Sequence, residues 1–212
     1  IKIENIFKIG YPRYEKFFIK KNQFEPINFK NLNRRKKTIL WMPTHIKYPK
    51  KDIGSNILLW EKYCYLLTKE HNVIIRPHPK TLPYIMEEVN NIKEKGFVID
   101  TQSDQILGKL YTMADLILAD YGGSIFSSIY MNKKILLLNL PFDHNYFLNR
   151  KKDLTLDQIE RKRIKSLDLE NGIYIPKIIK SMILDKINYN RDLYFNKKNN
   201  IKNFKKKFFK IN

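Results

Sequence analysis

Short apolar runs recur along the middle of the chain: "TILWM" (Thr38–Met42), "VIIR" (Val73–Arg76), "FVID", "LILAD" and "KILLLN". Each is continuous rather than alternating, and each stops at a proline, a glycine or a polar residue. Between them lie longer stretches with apolar residues at helical spacing. Asn56–Glu70 carries Leu58, Leu59, Cys64, Leu66 and Leu67 roughly on one side. "LPYIMEEVNNIKEKG" reads as a second helix ended by Gly96, and "SDQILGKLYTMA" as a third, with Ser103 or Asp104 as N-cap. Ser124–Met131 reads as a fourth. Strands buried on both faces and separated by helices predict an α/β fold with a parallel sheet. At the front, Ile6–Ile9 predicts a short strand ending in a Gly10-Tyr11-Pro12-Arg13 turn, and Lys20–Lys37 a linker. At the back, a charged helix is expected over Asp153–Leu169, another over Ile178–Ile187, then a basic tail.

In an open parallel sheet, ligands bind beyond the carboxyl ends of the strands. Those ends are where this chain concentrates polar groups. Pro43-Thr44-His45 follows the first strand, and Arg76-Pro77-His78-Pro79 the second. Asp120-Tyr121-Gly122-Gly123-Ser124 follows the fourth. Two glycines before a helix let the backbone close on a ligand, and the helix start offers free N–H groups to an anion. A packing turn explains the same residues. Ser124 would either N-cap that helix or give its hydroxyl to a phosphate oxygen. His78, rigid between two prolines, suits acid/base work or a hydrogen bond to phosphate, or else caps a loop. The pattern is not GxGxxG, GxxxxGKS/T or GxSxG. The four histidines show no HxxxH or HExxH spacing, so neither a metal nor a cofactor is expected.

Charge changes the picture more than length does. The 212 residues carry a formal net charge of +20, which favours anionic partners. The abundance of Lys, Ile and Asn also matches the residue usage of an A+T-rich genome, which raises charge with no partner involved. The stretch Asn196–Asn212 interleaves lysines with Phe204, Phe208 and Phe209. It reads as an interfacial segment for an anionic membrane or as a frayed terminus. One cysteine, Cys64, excludes a disulfide framework. No run reaches the ~20 apolar residues that span a bilayer. The first residue is Ile1, so a fragment or processed form is expected.

"GYPR", "ILWMPTH", "RPHP" and "ADLILADYGGSIF" occur in that order. Together they resemble the C-terminal, nucleotide-binding half of the CDP-glycerol glycerophosphotransferases, the GT-B-fold polymerases of teichoic acids and related capsules. The resemblance covers roughly Ile6 to Leu140. It implies a Rossmann-like donor domain at 37–150, an interdomain crossover and linker at 1–36, and C-terminal helices with a basic tail at 151–212. It makes His78 the transfer histidine. It puts Arg13 at the crossover near the cleft, Thr44 at the donor rim, and Asp120, Tyr121, Gly122 and Gly123 against the donor's diphosphate and nucleotide. Arg76 and Ser124, at the same rim, join the expected donor-binding set. The implied partners are a CDP-activated donor, a lipid-linked or polymer acceptor and a missing N-terminal domain. The implied location is cytoplasmic, at the inner face of the membrane.

Three departures stand against that pattern. The family's serine pair is Gly122-Gly123 here, its closing aspartate is Ser127, and its N-terminal "WHG" histidine has no counterpart. Other readings are another GT-B glycosyltransferase, a UDP-sugar 2-epimerase-like enzyme, or a basic membrane- or nucleic-acid-binding module. No RNA-binding signature is present, so no specific nucleic acid is expected.

Overall fold

The computed structural model describes residues 11–19, 24–25, 27–46, 54–101, 107–140, 161–186 and 189. Expectations for Ile6–Ile9, for the Ser103/Asp104 cap and for the tail Asn196–Asn212 lie outside them.

Six strands form one parallel sheet. In chain order they are β1 (Thr38–Met42), β4 (Asn72–Ile75), β5 (Phe97–Ile99), β6 (Leu116–Ala119), β7 (Lys134–Leu138) and β8 (Ser166–Leu167). Their spatial order is β5-β4-β1-β6-β7-β8. The chain builds outward from β1 to one edge, returns, and builds outward from β6 to the other. That is the doubly wound, Rossmann-like order, and the direction reverses between β1 and β6. Register is continuous across the reversal, with Ile39 paired to Leu116 and Met42 to Ala119. A separate two-stranded hairpin, β2 (His45–Ile46) with β3 (Gly54–Ser55), stands just beyond the end of β1.

The continuous apolar runs now have a physical cause. Successive strand side chains point to opposite faces, and both faces are buried. Ile39, Trp41, Val73, Ile75, Leu116, Leu118, Leu136 and Leu138 face one layer. That layer contains α2 (Ile57–Thr68), α4 (Val89–Glu94) and α7 (Ile175–Leu184). Leu40, Ile74, Ile117, Ala119, Ile135 and Leu137 face the other. That one contains α1 (Pro12–Ile19), α5 (Leu107–Met113) and α6 (Gly123–Tyr130).

Four local expectations change. Pro12 and Arg13 open helix α1 rather than a turn, because proline's fixed φ suits the first helical position. Leu58 is exposed, since α2 buries Ile57 and Trp60 along with the expected Cys64 and Leu67. The helix expected over Leu82–Gly96 breaks into α3 (Leu82–Ile85) and α4, separated by a turn, after a 3-10 turn at Pro79–Thr81. The end of the expected charged helix is instead strand β8, which pairs with β7, followed by a 3-10 segment at Leu169–Tyr174.

Candidate active site

The reversal between β1 and β6 leaves a crevice beyond their carboxyl ends. There the structure holds a cavity of about 340 Å³. Pro43 and Thr44, after β1, form one wall. Arg76, Pro77, His78 and Pro79, after β4, form the second. Tyr121, Gly123, Ser124 and Ser127, from the turn after β6 and from α6, form the third. Tyr11, just before helix α1, closes the cavity together with Arg13 and Tyr14 of that helix. None of the described lining residues is acidic.

His78 is the N-cap of the Pro79–Thr81 turn, and its Nδ1 accepts a hydrogen bond from the Lys80 N–H at 3.2 Å. An accepting Nδ1 in a neutral imidazole leaves the proton on Nε2. The His78 ring stacks on His45 with centroids 6.0 Å apart, and His45 Nδ1 lies 3.3 Å from Thr81 Oγ1. Arg76 is buried and donates through Nη1 to Asp100 Oδ2 at 2.5 Å. A guanidinium has five N–H donors, so this pairing orients the fork without exhausting it.

Asp120 does not line the cavity. Its carboxylate is buried beneath the turn, where both oxygens accept from the Thr44 N–H, at 2.9 and 3.0 Å. Oδ1 also accepts from the Tyr121 N–H at 2.6 Å. Burial pushes the Asp120 carboxyl up to about 6, against the pull of the Thr44 and Tyr121 N–H groups and the Arg161 charge. Asp120 is thus a strut that sets where Thr44 and Tyr121 stand.

Gly122 is the N-cap of α6 at φ 75, ψ −148, a conformation essentially reserved for glycine. Ser124 is therefore not the N-cap, and its hydroxyl donates to the Tyr121 carbonyl at 3.2 Å. A side chain added at Gly122 or Gly123 would meet nothing within 4 Å, so the turn faces open space. The α6 N–H groups and the positive end of that helix point into the same region.

The structure thus gathers Arg13, Thr44, Arg76, His78, Tyr121, Gly123 and Ser124 at one cavity, with Gly122 beside it and Asp120 beneath. Sequence reasoning passed over Tyr11, whose hydroxyl lies 3.2 Å from Ser127 Oγ. It also passed over Asn56, whose Nδ2 lies 3.5 Å from Asp120 Oδ2, and Arg161, which carries no local signal at all. Asp100, the polar end of "FVID", is a strand-end residue, but its pairing with Arg76 was not foreseen. Among the described residues, no three His, Cys, Asp or Glu side chains gather as a metal would need.

A family model described as CDP-glycerol:poly(glycerophosphate) glycerophosphotransferase matches residues 1–159. Solved structures of the wall teichoic acid polymerase TagF share the fold. One aligns with a TM-score of 0.60 at 16% identity, covering 85% of this chain and 44% of that one. A histidine-to-asparagine variant aligns at 0.58 and 15%, with the same coverage. That variant soaked with CDPG aligns at 0.56 and 16%. The chain spans less than half the length of these polymerases. No curated protein matches it.

Proposed function

The chain belongs to the CDP-glycerol:poly(glycerophosphate) glycerophosphotransferase family, and from that premise we propose that its cavity is the donor half-site of a polymerase. The reaction would move glycerophosphate from CDP-glycerol to a hydroxyl of a growing cell-envelope polymer. One observation carries the reading. The crevice at the strand-order reversal brings Arg13, Arg76, His78 and the start of α6 around one cavity with no carboxylate among its described lining residues. Such a place holds two linked phosphates rather than a neutral sugar alone.

In this reading the acceptor hydroxyl oxygen attacks the glycerol-bearing phosphorus, the bond from that phosphorus to the CMP oxygen breaks, and the hydroxyl proton is lost to solvent or to the released CMP phosphate. Negative charge grows on the departing phosphate. The N–H groups of α6 and the Arg76 guanidinium offset it, an electrostatic contribution fixed before the reaction begins. With Nδ1 accepting, neutral His78 presents Nε2–H and donates a hydrogen bond to a phosphate oxygen; only the doubly protonated ring would give that oxygen a proton. Gly122 and Gly123 leave backbone N–H groups where the resembled pattern has serine hydroxyls.

The acceptor, lipid-linked or polymeric, would enter at the open side of the cavity. The same reading puts the protein on the cytoplasmic face of the membrane, with Asn196–Asn212 against anionic lipid. Among the described residues no helix is long and apolar enough to cross a membrane. Vesicles of anionic lipid should pellet the full chain and leave a chain ending at Tyr189 in solution. Equal pelleting removes the tail from the account.

The catalytic test is His78→Ala, with CMP release from CDP-glycerol as readout. Turnover should fall by roughly 10²–10³-fold with the fold retained. Unchanged turnover contradicts the role given to His78.

A further inference from the structure

Arg161 lies just beyond the stretch that the family model matches. Its guanidinium nevertheless reaches the turn that walls the cavity. One nitrogen, Nη1, donates to the Asp120 carbonyl. The other, Nη2, donates to Asn139 Oδ1 at 2.5 Å. The guanidinium carbon sits 4.1 Å from the centroid of the Tyr121 ring. A single side chain thus ties the end of β6, the end of β7 and the aromatic wall of the cavity together.

Asn139 is itself anchored. Its amide donates to Asp168 Oδ1 at 2.7 Å, and its carbonyl accepts from the buried Trp60 indole at 3.0 Å. The turn at 120–123 needs such anchors. Two successive glycines have more backbone freedom than any other pair and no side chains by which to be held. Asp120 fixes one side of the turn through its carboxylate on Thr44, and Arg161 fixes the other through the Asp120 carbonyl and the Tyr121 face.

We propose that Arg161 is a positioning residue that holds the 120–123 turn in its ligand-ready shape. The inference rests on the reading of the cavity as a donor site, but its structural half can be measured without a ligand. Lysine is a poor substitute, because a point charge has neither the planar fork that spans two acceptors nor the flat face that stacks on Tyr121.

The test compares the chain with its R161M and R161K variants by amide hydrogen exchange and by calorimetric titration with CDP. In R161M the amides of Tyr121 to Ile125 should exchange at least tenfold faster, with β1 amides unchanged. CDP affinity should fall at least tenfold, and R161K should keep most of that loss despite its charge. Unchanged exchange at Tyr121 to Ile125 in both variants overturns the proposal. So does faster exchange in β1 as well, which would make the loss global rather than local. Faster local exchange in a chain that never binds CDP would uphold the clamp and overturn the donor-site reading alone.

Discussion

At Asp120 a carboxylate is buried to hold backbone, not to meet a ligand. Burial pushes its pKa to about 6, above the ordinary carboxylate value of 3.8. A raised carboxylate pKa means that the folded state holds the proton more tightly. The resulting stability is fully present below pH ~4 and is lost as the pH rises through about 6. The span of about two units corresponds to roughly 3 kcal/mol. Urea midpoints measured from pH 4 to 7 should show this fall, and Asp120→Asn should flatten it. An identical slope in the two proteins would place the titration elsewhere. The two glycines should separate in the same way. Gly122→Ala is strained at φ 75 and should cost about 1–3 kcal/mol of stability. Gly123 lacks that strain, so Gly123→Ala should leave stability near its starting value while weakening nucleotide binding, because its methyl enters the space a phosphate would use. Two equal losses of stability would remove the distinction.

Helix α1 brings Tyr11 and Arg13 to the cavity, and its seat is α5. Gly108 on α5 lies against α1, since a methyl added there would fall 2.1 Å from the Phe17 ring. Gly108→Ala should therefore cost about 1–3 kcal/mol and weaken CDP binding by tilting α1. Ile179→Ala in α7, on the opposite layer, should cost about 2–5 kcal/mol and leave CDP affinity unchanged. If both variants bind CDP alike, α1 is not part of the site. The contrast also shows what the chain reveals about its elements. The buried strands were legible because both faces of a parallel sheet demand apolar residues. The inward face of α2 was less so: Leu58 and Ile57 differ only in angle around the helix, and the sheet above decides which is buried. Helix α1 was hidden behind Pro12, which marks turns and helix starts equally well. Strand β8 is two residues long, too short for any periodicity to show.

Across the whole molecule, function follows from the order in which strands are laid down. The reversal between β1 and β6 opens a crevice, and the residues after β1, β4 and β6 converge there. That is why His78, Thr44 and the Tyr121–Ser124 turn, distant along the chain, were legible as one group: each directly follows a strand. Arg161 was not, because it acts through a contact that depends on how the chain returns after β7. The departures from the resembled pattern at Gly122, Gly123 and Ser127 leave Arg13 and Arg76 in the cavity lining, and in the proposed donor site they would shift phosphate contacts toward the backbone. The most direct test is a calorimetric and thermal-shift titration of this chain with CMP, CDP, UDP and GDP. CDP or CMP should bind in preference to the other two. At a hundredfold excess over Kd it should add about 2.7 kcal/mol of stability, roughly 5–10 °C in Tm for a chain of this size. No heat and no shift with any of the four would contradict the donor half-site and leave the glycine turn a packing feature.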